Sequence, residues 1–151
     1  MTSNRSAILL FDGTCGFCAR SVQFVLARER RRRTLRFASL QSPTGLDATR
    51  RHAELANVDS VIWLEPGDST QTERVLVRSD AALEVMRYLG GGWSAVAAIG
   101  RIVPRVLRNG IYDLIARHRH ELVRDAASCL LPTPEQRTRF IDWESIAGAS
   151  G

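Results

Sequence analysis

Near its start the chain reads AILLF, DG, T, CGFC: five apolar residues, an Asp-Gly pair, and two cysteines separated by Gly16 and Phe17. This order is restrictive. A short, uninterrupted apolar run ended by a turn dipeptide is the pattern of a buried strand, here at residues 7–11. Beyond it, residues 15 to about 33 contain no proline and no glycine after Gly16, and Cys18, Val22, Val25 and Leu26 recur on one helical stripe. The pattern predicts a strand, a tight turn, and a helix that carries both cysteines in its first turn.

The following segments extend the same theme. LRFASL (residues 35–40) reads as a second strand, Pro43 and Gly45 mark a loop, and a weakly patterned helix is expected around residues 46–55. SVIWL (60–64) and RVLV (74–77) flank Pro66-Gly67 and read as a hairpin. Ser79 is placed to cap a helix with Asp80 in its first turn and Leu83 and Met86 on its stripe, and the run Gly90-Gly91-Gly92 ends it. Strand, helix, strand, helix, hairpin and helix within residues 7–90 predict an α/β fold: a thioredoxin/glutaredoxin-like βαβαββα core with a mixed four-stranded sheet.

A C-terminal helical extension is expected over about 93–142. Ile99, Ile102, Val103, Val106, Leu107, Ile111, Leu114 and Ile115 recur at helical spacing around Pro104, which predicts two amphipathic helices broken at the proline and packed on the sheet. Thr133-Pro134-Glu135-Gln136 is a capping box that opens a last helix through Phe140 and Ile141. Residues 1–146 are read as one domain, and 147–151 as a disordered tail.

Composition narrows the setting. The basic residues are 21 arginines and no lysine against 16 acids, a net charge of +5. Absence of lysine everywhere points to a chain-wide arginine bias rather than to one site. Three cysteines are too few and too odd in number for a secreted disulfide framework, and the five-residue apolar run is shorter than a secretory signal core, so a cytoplasmic, reducing setting is expected. Residues 93–107 are interrupted by Arg101, Pro104 and Arg105 short of the ~20 apolar residues of a membrane span. Arg28 and the arginines at 30–33 suit the end of the first helix without interleaved aromatics, so no nucleic-acid partner is expected.

Disulfide exchange requires a thiolate, and the unpaired N–H groups and positive dipole end of a helix favour that form. Cys15 at the helix start is therefore assigned the attack on a substrate disulfide. Cys18, on the apolar stripe, is expected to be the more buried sulfur and to resolve the mixed disulfide. Asp12, three residues before Cys15, has two readings: a general base taking the proton of Cys18, or a side chain that only caps the turn with Gly13. No cofactor is expected. The expected partners are a protein or small-molecule disulfide and a thiol electron donor.

These segments carry a resemblance. FDGTCGFC with its arginine-rich helix, LRFASLQSP, RSDAALEVMRYLGG, IVPRVLR, YDLIARHR and CLLPTPEQRTRF are similar, over about residues 7–141, to the thiol-disulfide oxidoreductase DCC family, named for Asp-Cys-Cys. Asp12, Cys15 and Cys18 fall on the naming motif; Ser79-Asp80-Ala81, Pro104, Tyr112, Arg117, Arg119, Cys129 and Pro132 fall on later parts. The resemblance implies a bacterial-type thioredoxin-like protein with disulfide oxidoreductase activity. Thioredoxins and glutaredoxins usually place a cis-proline before the third strand, whereas residues 57–61 here are Asn-Val-Asp-Ser-Val.

Other uses of these residues weigh less. A zinc site from Cys15, Cys18, Cys129 and His118 or His120 is disfavoured because the two histidines, two apart on a helix, point to different sides. An iron–sulfur site lacks the proline loop. The alternative to an enzyme is a non-catalytic module that binds a partner or metal through the same cysteines. Cys129 reads as a packed sulfur, with a resolving or sensor role as its alternative, and for the arginine-flanked helices docking on a membrane or on a partner is the alternative to packing on the sheet.

Overall fold

The structure is a computed structural model and describes residues 6–29, 34–58, 60–68, 70–122 and 132–148, apart from the side chains of residues 119, 120 and 122. Cys129, Asp59 and the arginines at 30–33 lie outside the described residues, as does the side chain of His120.

Strand β1 (Ile8–Phe11) is the centre of the core. Its side chains alternate between two faces, as the two-residue period of a strand requires. Leu9 and Phe11 join Phe37, Trp63 and Val22 on one side, and Leu10 joins Ala38, Ile62 and Ala48 on the other. A sheet covered on both faces explains why the run is apolar throughout rather than at every second position.

Helix α1 (Gly16–Arg28) follows, and its buried face carries Cys18, Ala19, Val22, Val25 and Leu26, the expected stripe. It ends earlier than the expected boundary near 33: Glu29 has an extended backbone and is drawn inward by Arg139 and Tyr88. Strand β2 (Arg36–Ser39) runs parallel to β1, with Leu9 opposite Phe37.

Helix α2 (Pro43–Arg51) begins three residues before the expected start. Pro43 is in its first turn rather than in a loop, because Ser42 caps the helix by accepting from Gly45 N. Gly45 is required there, since a Cβ would stand 2.2 Å from Ser39 O. A short 3-10 turn over Ala53–Leu55 leads on to β3.

Strands β3 (Ile62–Glu65) and β4 (Arg74–Val77) form the expected antiparallel hairpin, and β3 also pairs antiparallel with β1. The resulting order, β2-β1-β3-β4, is a mixed four-stranded sheet. Helix α3 (Arg78–Leu89) stops at Gly90, whose φ of 71° suits glycine. Ser79 does not cap it. Its hydroxyl donates to Asn109 Oδ1 at 2.5 Å, a contact between helices that local spacing does not reveal.

Helices α4 (Gly92–Ile102) and α5 (Arg105–Leu122) break at Pro104 as expected. Their apolar stripe does not pack on the sheet. Val96, Ile99, Ile102, Val106, Leu107, Ile111, Leu114 and Ile115 are all exposed. The side of α5 turned to α3 makes polar contacts: Arg108 pairs with Asp80 at 3.1 Å, Asn109 accepts from Ser79, and Asp113 lies 3.9 Å from Arg78, while the mostly exposed Arg105 reaches Asp80 from the outside at 2.8 Å.

The capping box at Thr133 forms in both halves, but its helix α6 is only Pro134–Arg137. Phe140, expected inside that helix, instead makes a parallel bridge to Phe37 at the sheet edge. Phe37 N donates to Arg139 O at 3.0 Å, and Ile141 N donates to Phe37 O at 2.7 Å. Asp142, with φ of 56°, accepts from Thr44 N and Oγ1 at 3.0 and 2.6 Å, tying the segment to the start of α2. A final helix, α7 (Trp143–Gly148), places Ile146 in the core and takes in Ala147 and Gly148, which the sequence suggested as tail.

Candidate active site

The β1-to-α1 turn is built from backbone and side chains together. Cys15 N donates to Asp12 O at 3.2 Å, and Asp12 Oδ1 accepts from Thr14 N at 2.9 Å and Thr14 Oγ1 at 2.7 Å. A third donor arrives from beyond β2: Gln41 Nε2, at 3.0 Å. The oxygen of the same amide accepts from Gly13 N at 3.0 Å and from Ser39 Oγ at 2.6 Å. Gln41 therefore straddles the Asp12-Gly13 turn. Gly13 leaves it room, because a Cβ there would come within 2.8 Å of Ser39 Oγ and 3.2 Å of Gln41 Oε1.

This turn delivers Cys15 to the N-cap of α1, with φ −100° and ψ 114°. Helix α1 has no side-chain hydrogen bond at its cap and no acidic residue in its first turn. The N–H groups exposed at a helix start thus open beside a cysteine with no carboxylate of the helix competing for them. Cys18 follows one turn later. The structure brings the two predicted redox residues and Asp12 to one end of β1 and α1.

One expectation is corrected. Cys15 is not the exposed member of the pair, since both cysteines are 2% exposed. The apolar cluster that encloses them includes Phe140 and Ile146, from the far end of the chain. Two concavities of about 880 and 500 Å³ lie elsewhere, the first along the β3–β4 loop and the second between Trp63, Arg87 and Tyr88; neither is lined by Asp12, Cys15 or Cys18. The stretch before β3 that lacks proline ends in buried Ser60 and in Val61. Among the described residues no three His, Cys, Asp or Glu side chains gather as metal ligands.

Gln41 is the site residue that sequence reasoning did not single out. It sits inside the quoted segment LRFASLQSP, but nothing in the local pattern ties it to a turn 28 residues earlier.

A mixed β2-β1-β3-β4 sheet with two cysteines at the start of the helix after β1 is the thioredoxin-like arrangement. The chain belongs to the DCC1-like thiol-disulfide oxidoreductase family, whose model matches residues 9–125. It is 33% identical over 144 residues to the uncharacterized protein YuxK of Bacillus subtilis (strain 168), covering 93% of this chain and 99% of that one. Over 129 residues it is 29% identical to a chloroplastic DCC family protein of Arabidopsis thaliana, covering 85% of this chain and 71% of that one. No solved structure matches it at a significant level.

Proposed function

We propose that the protein exchanges the Cys15/Cys18 dithiol with a protein or small-molecule disulfide, working as a reductase in the cytoplasm. The observation that carries this reading is the placement of Cys15 at the uncapped start of α1, with Cys18 one turn on.

The Cys15 thiolate attacks one sulfur of the substrate disulfide. A Cys15–substrate disulfide forms, and the other substrate sulfur leaves as a thiolate that takes up a proton. Cys18 loses its proton and attacks Cys15 Sγ, closing the Cys15–Cys18 disulfide and releasing the second substrate thiol. Two electrons have passed to the substrate, and an external thiol donor returns them to the protein. No prosthetic group takes part.

Asp12 is the proposed acceptor of the Cys18 proton. The three donors on its Oδ1 also make it the anchor of the turn, so both uses read from the sequence operate through the same side chain. Because Cys15 is buried, a substrate reaches its sulfur only when the apolar cover around it shifts. That step belongs to the mechanism as a condition on the first attack.

The test is trapping. With a disulfide-bonded probe peptide, Cys18→Ser accumulates a stable mixed disulfide and Cys15→Ser does not. Equal trapping by the two variants overturns the roles, and thiols that never form a reversible two-electron couple in a redox titration overturn the activity.

A further inference from the structure

Helices α4 and α5 are turned the wrong way for a surface that faces only water. Of the nine large hydrophobic side chains exposed among the described residues, eight lie on these two helices. They are not scattered. Ile99 and Ile102 continue across Pro104 into Val106 and Leu107, then into Ile111 and Leu114 at helical spacing, so one apolar strip follows both helices. Meanwhile α5 directs Arg108, Asn109 and Asp113 toward α3. Helices on a soluble core bury the apolar side and show the polar one. Contiguous apolar surface on this scale marks an interaction site.

Three observations select its occupant. First, the outward arginines of α4 and α5, Arg101, Arg105 and Arg117, stand among two acids of these helices, Asp113, which is turned to Arg78, and Glu121 at the far end; Arg101 and Arg105 also reach Glu84 and Asp80 of α3 at 3.4 and 2.8 Å, yet stay 54% and 70% exposed. The rim of the strip is cationic, so a second copy of the chain would bring like charge against it, whereas an anionic headgroup layer is complementary. Second, Ile102 and Val106 stand at the corner between the helices at 83% and 86% exposure, each beside an exposed arginine, Arg101 or Arg105. Side chains that protrude so fully enter a fluid acyl layer without needing a shaped pocket, and guanidinium groups next to them pair with phosphate. Third, no helix among the described residues is long and apolar enough to cross a membrane. The strip suits lying in an interface.

We propose that the outer face of α4 and α5 is a peripheral docking surface for anionic lipid bilayers, with Ile102 and Val106 as the inserted corner and arginines at the headgroup level. This is independent of the redox reading, since none of its residues belongs to the cysteine site.

The test uses the full chain with two sets of vesicles, phosphatidylcholine alone and phosphatidylcholine with phosphatidylglycerol in equal parts. Binding is expected to the anionic vesicles, weaker at high salt, and much less to the neutral ones. Ile102→Asp with Val106→Asp is expected to weaken that binding at least about tenfold, because each buried CH₂ contributes roughly 0.8 kcal/mol. Arg117→Gln is expected to weaken it about fivefold on anionic vesicles only, the effect of one arginine held near the surface. Unfolding midpoints of all variants, measured alongside, should match the parent, as expected for exposed positions. Equal retention on both vesicle types, or an Ile102/Val106 variant that binds like the parent, overturns the proposal. So does sedimentation showing a concentration-dependent dimer that the same variant abolishes while vesicle binding is absent; the strip would then be a self-interface.

Discussion

Two regions of this molecule spend similar side chains in opposite ways. Around β1, aliphatic and aromatic residues are enclosed on both faces of a sheet, and the polar groups that remain inside are matched: Arg139 holds Glu29, and Tyr88 donates to the same carboxylate at 2.9 Å. Burial also lowers the pKa of Arg139 from the usual arginine value. In α4 and α5, Ile, Leu and Val face outward while ion pairs and a hydroxyl-to-amide bond hold the inner side. Amphipathic spacing therefore tells that a helix has two sides, but not which side the body of the protein takes.

The sharpest way to break this comparison is to remove an aromatic side chain from each setting's counterpart in the core and watch stability. Phe37→Ala, at a fully buried position stacked on Phe140, should cost about 3–5 kcal/mol in denaturant unfolding, from lost burial and the cavity left behind. A cost under about 1 kcal/mol would mean that the sheet is far less tightly packed than its burial shows.

An intermediate effect sharpens where the C-terminal segment belongs. Hydrogen bonds from Thr44 hold the Asp142 carboxyl below the ordinary carboxylate pKa. Asp142→Asn, which tolerates the positive φ, should destabilise by about 0.3–1 kcal/mol, as for loss of a negative charge at a helix start. The sign follows from linkage. With the folded pKa below the unfolded one, the carboxylate's contribution is complete above about pH 4 and is lost as pH falls through the lower folded value. The gap between parent and variant should thus be flat from neutral pH down to that range and then close; a gap that widens on acidification would contradict the assignment.

The smallest effect is expected at the exposed corner. Ile102→Ala and Val106→Ala should each change unfolding free energy by no more than about 0.5 kcal/mol without membranes present. A loss comparable to that of Phe37→Ala would erase the contrast between the two regions.

What the sequence made legible follows the range over which each signal acts. Strand β1, the buried stripe of α1, the β3–β4 hairpin and the capping box at Thr133 are written in contiguous residues, and each formed where its pattern stood. Asp12, Cys15 and Cys18 came together for the same reason, being neighbours across one turn. The misses depend on distant partners. Ser79 has the chemistry of a cap, yet Asn109, 30 residues on, takes its hydroxyl. Phe140 looks helical until Phe37 offers backbone groups to bridge. The burial of Cys15 arises in a cluster completed by Phe140 and Ile146, and Gln41 reaches its turn only because β2 lies beside β1.

The bridge at Phe37 has a bearing on handling the protein. Strand β2 is an outer strand, and such a strand offers a template on which another chain can add and aggregate. Here Phe37 gives both its amide and its carbonyl to the segment around Phe140, and Ser42 donates twice to the Ser39 carbonyl. The region matched by the family model stops at residue 125, before that protective stitch. A fragment cut at the family boundary would present a raw edge and be prone to precipitate.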